Sequence, residues 1–335
     1  MSASACDPDL GLPEITASLR AAGCVFAEEE AEVLVGSAPS HVALRAMLGQ
    51  RIAGLPLEHV VGWAEFCGLR IAVDHGVFVP RRRSELLVRR AAALCQPGGA
   101  TPRDPPLTAP GAVVVDLACG CGAIGAAIAA LVTGVDLYAS DIDPAAVRCA
   151  RRNLEPLGGH VYCGDLYQPL PGRLRGQVAV IAANVPYVPT DAVALMPAEA
   201  RVHEPLAALD GGPDGLDLLR RAAAGAGGWL APGGHLLIET SADQAEAAVA
   251  AFAGAGLAPA VATDDDLGAA VTIGRRPEAA ASTEPTASTE PTASTGPAAA
   301  LFVAGAAWLT AAGFPGRRTR SFRSPGRPGH GRRSG

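Results

Sequence analysis

The chain has 335 residues, 49% of them hydrophobic and 18% charged, with a formal net charge of −6. These values suit one large α/β domain with smaller additions and exclude a wholly disordered or fibrous chain. The acidic balance excludes nucleic-acid binding through overall charge, and with no lysine present all the formal positive charge is arginine, a mark of GC-rich coding more than of chemistry.

The eight cysteines are scattered, none in a CxxC pair, and no His/Cys cluster has zinc-ligand spacing. Free thiols in a reducing cytosol are expected, with no metal. The N-terminal MSASACDPDLGLPEI has neither the basic start nor the apolar stretch of a signal peptide. Residues 298–314 form the one nearly continuous apolar run, short of the roughly 20 residues a spanning helix needs. The expectation is a cytoplasmic protein with no membrane contact.

In chain order, apolar residues at helical spacing over 14–53 predict two or three helices, a small N-terminal cap. Residues 63–80 alternate apolar and polar around turn signals and predict a β-hairpin, with Trp63 and Phe66 in its core. A helix over about 84–95 and a Pro/Gly-rich linker over 96–111 follow. From 112 onward strands and helices alternate. Strands are expected at 112–118, 135–140, 160–163, 178–183, 234–240, 257–262 and 269–275. Helices are expected from Gly122 to about 132, from Asp143-Pro144 to Asn153, from about Pro213 to Gly227, and over 242–254, with Asp143 as a cap and Asp214 as another. This pattern predicts a doubly wound α/β fold: a mostly parallel seven-stranded sheet with helices on both faces. Residues 277–298 repeat ASTEPT-like hexads and read as a linker, and 317–335 carries seven arginines. That tail reads as disordered, with nucleic-acid contact as the sharper alternative. The expected organisation is a cap at 1–60, a hairpin at 61–80, the α/β domain at 81–276 and a low-complexity tail at 277–335.

Between the first strand of the α/β unit and its helix lies Asp116-Leu-Ala118-Cys119-Gly120-Cys121-Gly122-Ala-Ile-Gly125. Glycines there let a ligand approach backbone that a side chain would block. Gly120, Gly122 and Gly125 match the dinucleotide fingerprint, and Asp141 ends the second strand where an acid grips ribose hydroxyls. Both an NAD and an S-adenosylmethionine site fit that pattern. Asp116 favours the second, because a carboxylate at the strand end would repel a pyrophosphate and attract an α-amino group. After the fourth strand comes Asn184-Val185-Pro186-Tyr187, at the carboxyl end of the sheet beside the cofactor crevice. The Asn184 side-chain oxygen and the Val185 carbonyl can accept both hydrogens of a planar NH2 group, and Tyr187 can stack on its flat face. Held so, the nitrogen lies in line with a sulfonium methyl, and the two acceptors favour the positive charge that builds on it.

These blocks resemble the release-factor glutamine methyltransferase family. The likeness runs over roughly 50–275, through LPLEHVVGWAEFCGL (55–69), FVPRRRSELL (78–87), VVVDLACGCGAIG (113–125), ASDIDPAAV (139–147), CGDLYQPL (163–170), ANVPYVP (183–189), EPLAALDGGPDGLDLLRR (204–221) and LAPGGHLLIE (230–239). The resemblance implies that Ala118, Cys119, Gly120, Cys121, Gly122 and Asp141, with Asn184, hold the methyl donor and that Asp165 and Leu166 lie near its adenine. It further implies that Asn184, Val185, Pro186 and Tyr187 bind the substrate amide, a glutamine in the Gly-Gly-Gln of a peptide release factor. Three departures stand out: Val185 replaces the first of two prolines, Ala118 replaces a glycine, and PRRRSE replaces PRPxTE, retaining Pro80, Arg81 and Glu85. Methylation of another planar amino group, such as a nucleic-acid base, and a non-catalytic cofactor-binding module are the competing readings.

Overall fold

The computed structural model describes residues 10–95 and 111–278. Residues 96–110 of the linker expected at 96–111, the hexad repeat and the Arg-rich tail lie outside the described residues. Among the described residues, no helix is long and apolar enough to cross a membrane.

Four helices open the chain: α1 (Leu12–Ala21), α2 (Ala27–Ser37), α3 (His41–Ile52) and α4 (Leu57–Val61). Ile15 and Leu19 on α1, Ala27, Ala31 and Leu34 on α2, and Leu44 and Leu48 on α3 recur at i, i+3 or i, i+4 spacing and close a small core of their own. Ser40 caps α3 by accepting from the Ala43 N–H at 3.2 Å.

A hairpin of β1 (Trp63–Phe66) and β2 (Leu69–Ala72) follows, joined by Cys67 and Gly68, both with positive φ as a tight two-residue turn requires. It is shorter than the 63–80 expected. The last cross-strand bond runs from the Val73 N–H to the Gly62 carbonyl at 3.0 Å, and on the outer edge of β2 the Asn153 side chain takes both backbone groups of Ala72, accepting from its N–H and donating to its C=O at 2.9 Å each. Residues 74–80 then turn at Asp74–Val77 and run on without a strand partner. Phe66 is buried as expected, whereas Trp63 is half-buried, its Nε1–H donating to Ser37 and its ring lying under Arg70.

A single 3₁₀ turn (Arg82–Ser84) leads into α5 (Glu85–Leu94). Beyond residue 110 the chain runs β3 (Val113–Leu117), α6 (Ala123–Leu131), β4 (Asp136–Asp141), α7 (Pro144–Leu154), β5 (His160–Cys163), β6 (Val178–Ala183), α8 (Ala198–His203), α9 (Asp217–Ala226), β7 (Leu230–Thr240), α10 (Ala245–Gly254), β8 (Ala258–Asp264) and β9 (Ala269–Arg275). The seven strands β3–β9 lie in the order β5-β4-β3-β6-β7-β9-β8. Only β9 opposes the rest, pairing antiparallel with both β7 and β8. The doubly wound, mostly parallel sheet read from the strand pattern is therefore present. Successive residues feed opposite faces: Val114, Val180 and Leu237 pack under α5, α6 and α7, while Val115, Ile181 and Leu236 pack under α9 and α10.

Three local expectations shift. The helix expected from Pro213 starts at Asp217, because Gly212 and Gly215 hold positive φ and keep 211–216 a loop; Asp214 accepts from the Leu216 N–H and pairs with Arg220 instead of capping α9. β7 begins at Leu230, four residues early, with its pairing to β6 interrupted around Pro232-Gly233. The short helices α4 and α8 carry too little apolar periodicity to be read from sequence.

The cap is tied to the α/β unit by Arg51. Its guanidinium donates to Glu30 on α2 at 2.6 and 3.1 Å, to the Leu55 carbonyl at 2.9 Å, and to Glu199 on α8 at 2.7 Å. Arg51 and Glu30 are almost wholly buried together, so removing the arginine strands a carboxylate away from water. Arg51→Ala is expected to lower stability by about 3 kcal/mol, read as a lower urea midpoint with an unchanged slope.

Candidate active site

The strand order reverses between β3 and β6: from β3 the chain builds outward through β4 and β5, then returns to lay β6 on the other side. At such a switch point the loops diverge and leave a crevice at the carboxyl ends of the strands. A cavity of about 460 Å³ occupies it, within the range of roughly 300–1,000 Å³ usual for small-molecule sites.

One wall is the loop after β3. Ala118 (φ 55°), Gly120 (φ 54°) and Gly122 (φ 80°) all have left-handed backbone, curling the chain around the crevice. Ala118 bears a cost of order 1–2 kcal/mol there that a glycine would not. The loop is tied to β4 at two successive residues: the Cys119 N–H donates to the Ser140 carbonyl at 3.0 Å and the Gly120 N–H to Asp141 Oδ2 at 2.8 Å. Asp141 Oδ1 accepts from the Asp143 N–H at 2.9 Å. Each carboxylate oxygen retains a lone pair for a ligand hydroxyl. Burial pushes the Asp141 carboxyl upward, opposed by these amide bonds. A Cβ at Gly120 would meet no protein atom within 4 Å, so the space in front of it is free for a ligand; at Gly122 it would press on Leu154 at 2.9 Å. Gly122 lies off the cavity wall and serves the turn into α6.

Asp116 is placed differently from the sequence expectation. It is 0% exposed, behind the loop and away from the cavity wall, with Oδ2 accepting the Gly125 N–H at 2.8 Å and Oδ1 without a partner among the described residues. Desolvation pushes its carboxyl up to about 8, against the lowering effect of the Gly125 bond, so the fold by itself favours the neutral acid near neutrality. It braces the loop from behind; it does not present a bare charge to a bound amino group.

The far end of the cavity is formed by Asp165 and Leu166. Leu166 adopts φ 45° and its carbonyl accepts from the buried Ser140 hydroxyl at 2.8 Å, while Asp165 pairs with Arg221 on α9. The cavity thus offers ribose acceptors at Asp141 and is lined further by Asp165 and Leu166, an arrangement that fits an adenosine-bearing cofactor.

The opposite wall is Asn184, Val185, Pro186 and Tyr187, directly after β6. Asn184 donates from Nδ2 to Ser84 Oγ at 3.1 Å. Its oxygen and the Val185 carbonyl accept no hydrogen bond among the described residues. Tyr187 donates its hydroxyl to Glu239 Oε1 at 3.2 Å, Arg83, bonded to the same oxygen at 3.0 Å, lies over the ring at 5.3 Å, and Tyr187 lines the cavity. Burial raises the Tyr187 phenol, which stays neutral. The backbone of this loop is clamped by residues 209–215: Val188 N–H donates to Leu209, Gly211 N–H to Val188, and Gln244 Nε2 to the Tyr187 carbonyl at 2.9 Å. A Cβ on Gly211 would lie 2.6 Å from the Pro186 carbonyl, and one on Gly215 would overlap the Tyr187 carbonyl. The mouth is held by Arg81, which donates to both oxygens of the buried Glu204 at 2.6 Å.

The structure therefore brings Ala118–Cys121, Asp141, Asp165, Leu166 and Asn184–Tyr187 around one cavity, and leaves Asp116 and Gly122 behind it. Ser84, Arg83, Glu239 and Gln244 were missed in the sequence. Glu239 was visible as a lone carboxylate in the apolar strand GHLLIET, and Ser84 as the retained hydroxyl of the PRRRSE block.

A family model described as the methyltransferase small domain matches residues 106–214. The release factor glutamine methyltransferase of Gloeobacter violaceus is 37% identical over 206 residues, 60% of this chain and 67% of that protein. The proteins of the same name from Geobacter sulfurreducens (34% identical, 70% of this chain and 78% of that protein) and Bordetella pertussis (36%, 74% and 89%) match over longer spans. The chain belongs to the release factor glutamine methyltransferase family. It is an S-adenosylmethionine-dependent protein methyltransferase, which sets aside the NAD reading of the glycine loop.

Two outcomes test this account of the methyltransferase site. Asp116 has a folded-state pKa raised above its unfolded value, so its contribution to stability is full below about pH 4 and lost as the pH climbs toward 8. Asp116→Asn removes that loss, and its melting temperature relative to wild type is expected to rise between pH 5 and pH 8; a constant difference would rule the neutral buried acid out. Gly215→Ala should abolish transfer and lower the melting temperature, because the added methyl displaces the Tyr187 carbonyl it would overlap.

Proposed function

We propose that the enzyme methylates the side-chain amide nitrogen of a glutamine in a peptide release factor, acting in the cytoplasm. The observation that carries this reading is the pair of unoccupied acceptors, Asn184 Oδ1 and the Val185 carbonyl, on the cavity wall that Tyr187 also lines. The names of the relatives agree with it.

An amide nitrogen is a weak nucleophile because its lone pair is delocalised into the carbonyl. When bound, the cofactor supplies an electrophilic methyl on a sulfonium centre; the nitrogen–methyl bond forms as the sulfur–methyl bond breaks, leaving a neutral thioether, and one N–H proton is lost from the methylated nitrogen. The chain's residues do the rest. Asn184 and Val185 accept the two N–H bonds of the substrate amide, fixing its plane and drawing electron density toward nitrogen; these bonds strengthen as positive charge develops. Tyr187 packs on the flat face and limits rotation, and its burial excludes water. Pro186 restricts Val185 to extended backbone, which keeps its carbonyl in position although the ring of the usual first proline is absent. That absence should cost on the order of 0.4–1 kcal/mol of preorganisation. Asp141 holds the ribose, and the Ala118–Cys121 loop the amino-acid portion, of the donor. Most of the acceleration on this account comes from orientation.

The test is transfer of a radiolabelled methyl to purified release factor, wild type beside a variant in which the Gly-Gly-Gln glutamine is replaced. Label on the wild-type factor alone is expected; label on both, or on neither with cofactor binding intact, would sink the assignment of substrate. Asn184→Ala should abolish transfer while leaving cofactor affinity nearly unchanged by calorimetry, and a parallel loss of both would show that the two roles of this wall are not separable.

A further inference from the structure

We infer that Ser84 is the positioning residue that decides which end of the Asn184 carboxamide faces the substrate; the inference rests on the amide-binding role proposed for Asn184. A carboxamide has an acceptor end and a donor end, and a half-turn of the side chain exchanges them. Only the acceptor end can receive a substrate N–H. Presented the other way, Asn184 would oppose two donors and the substrate amide would not bind in plane.

The structure offers one group that selects the orientation. Asn184 Nδ2 donates to Ser84 Oγ at 3.1 Å, and this is the sole hydrogen bond of the Asn184 side chain among the described residues. With the donor end held there, Oδ1 is the end left for a ligand. Ser84 is 2% exposed, and its hydroxyl can accept while its own proton turns elsewhere. Its place in the chain would ordinarily give it another task. Ser84 precedes the first residue of α5, where a serine typically caps the helix through its side chain. Here it has helical backbone angles and makes no such cap. The hydroxyl is directed instead to a residue 100 positions away.

Its position is also unusually well fixed. Three residues before it, Arg81 is locked to buried Glu204, which also accepts the Val79 N–H. The residue immediately before it, Arg83, is locked to Glu239 of β7. Both anchors precede Ser84, which closes the 3₁₀ turn and leads directly into α5, so its Oγ is set against Asn184 by two ion pairs on one side and a helix on the other. Loss of the hydroxyl leaves the Asn184 NH2 with no partner and its orientation undecided.

The experiment compares wild type, Ser84→Ala and Ser84→Thr in the full chain. In ¹⁵N-labelled protein the Asn184 side-chain amide pair, assigned by its absence in Asn184→Ala, reports the contact without turnover. One of its protons is expected to be protected from exchange in wild type and Ser84→Thr, and unprotected in Ser84→Ala. In the transfer assay Ser84→Ala should lose roughly tenfold or more in kcat, with KM for the release factor and calorimetric cofactor affinity changing by less than about twofold, and Ser84→Thr should recover most of the rate. A Ser84→Ala enzyme with wild-type kcat, an unaltered amide pair, or a loss of rate, cofactor affinity and melting temperature together would overturn the inference. If wild type itself fails to label release factor, the substrate reading falls, and the amide pair still decides the role of Ser84.

Discussion

The close backbone approach between residues 209–215 and the Pro186–Val188 segment is the constraint on which the site depends. An amide nitrogen gains little from a strong base or a charged nucleophile beside it, so catalysis must come from holding it still and in plane. The two acceptors that do so are a side chain and a main-chain carbonyl on a loop, and a loop is rigid only when something clamps its backbone. Gly211 and Gly215 allow the clamp because neither carries the Cβ that would strike the Pro186 and Tyr187 carbonyls. Gln244 closes the other side, with one amide group bridging the Tyr187 and Asp214 carbonyls.

Around this clamp, charge is used to hold segments that pack poorly by themselves. The stretch from Val79 to Glu85 has no strand partner and one helical turn, and two carboxylates from distant parts of the chain, Glu204 and Glu239, pin it through Arg81 and Arg83. Glu239 is 1% exposed and its Oε2 has no partner among the described residues, so Arg83 and Tyr187 are what make that carboxylate tolerable inside the sheet. The same residues therefore stabilise a buried charge and fix the substrate wall. Arg83 stands at the variable position of the PRPxTE pattern, next to Arg82, which replaces its second proline, and it joins the network beside the Arg81 anchor.

The cofactor side is built on a different principle. Backbone curvature at Ala118, Gly120 and Gly122 forms the cradle, and Asp141 holds it to β4 by accepting two main-chain N–H groups. Asn153 reaches across from α7 to the Cys121 carbonyl and to both backbone groups of Ala72, so the cradle and the hairpin are joined through one side chain. Arg51 extends the connection from the N-terminal helices to α8, between the substrate loop and Glu204.

Much of this was legible before any coordinates. Strand and helix periods in 112–275 determined the parallel sheet, because fully buried strands and amphipathic helices differ in pattern over short distances. The glycine loop, Asp141 and the Asn184–Tyr187 block marked both walls of the cavity, because close ligand approach and planar recognition each demand particular residue types at fixed spacing. What the sequence could not decide was which polar groups would meet from far apart. Ser84 with Asn184, Arg83 with Glu239, and Arg51 with Glu199 are separated by 100 to 156 positions, and no local pattern records such pairs. The depth of Asp116 was equally hidden: a strand-end carboxylate reads as a charge facing a ligand, and only the packing of Gly125 against it shows it sealed behind the loop. Local sequence determines what each segment can be; burial and long-range partners, which exist only once the sheet has closed, determine what each side chain does.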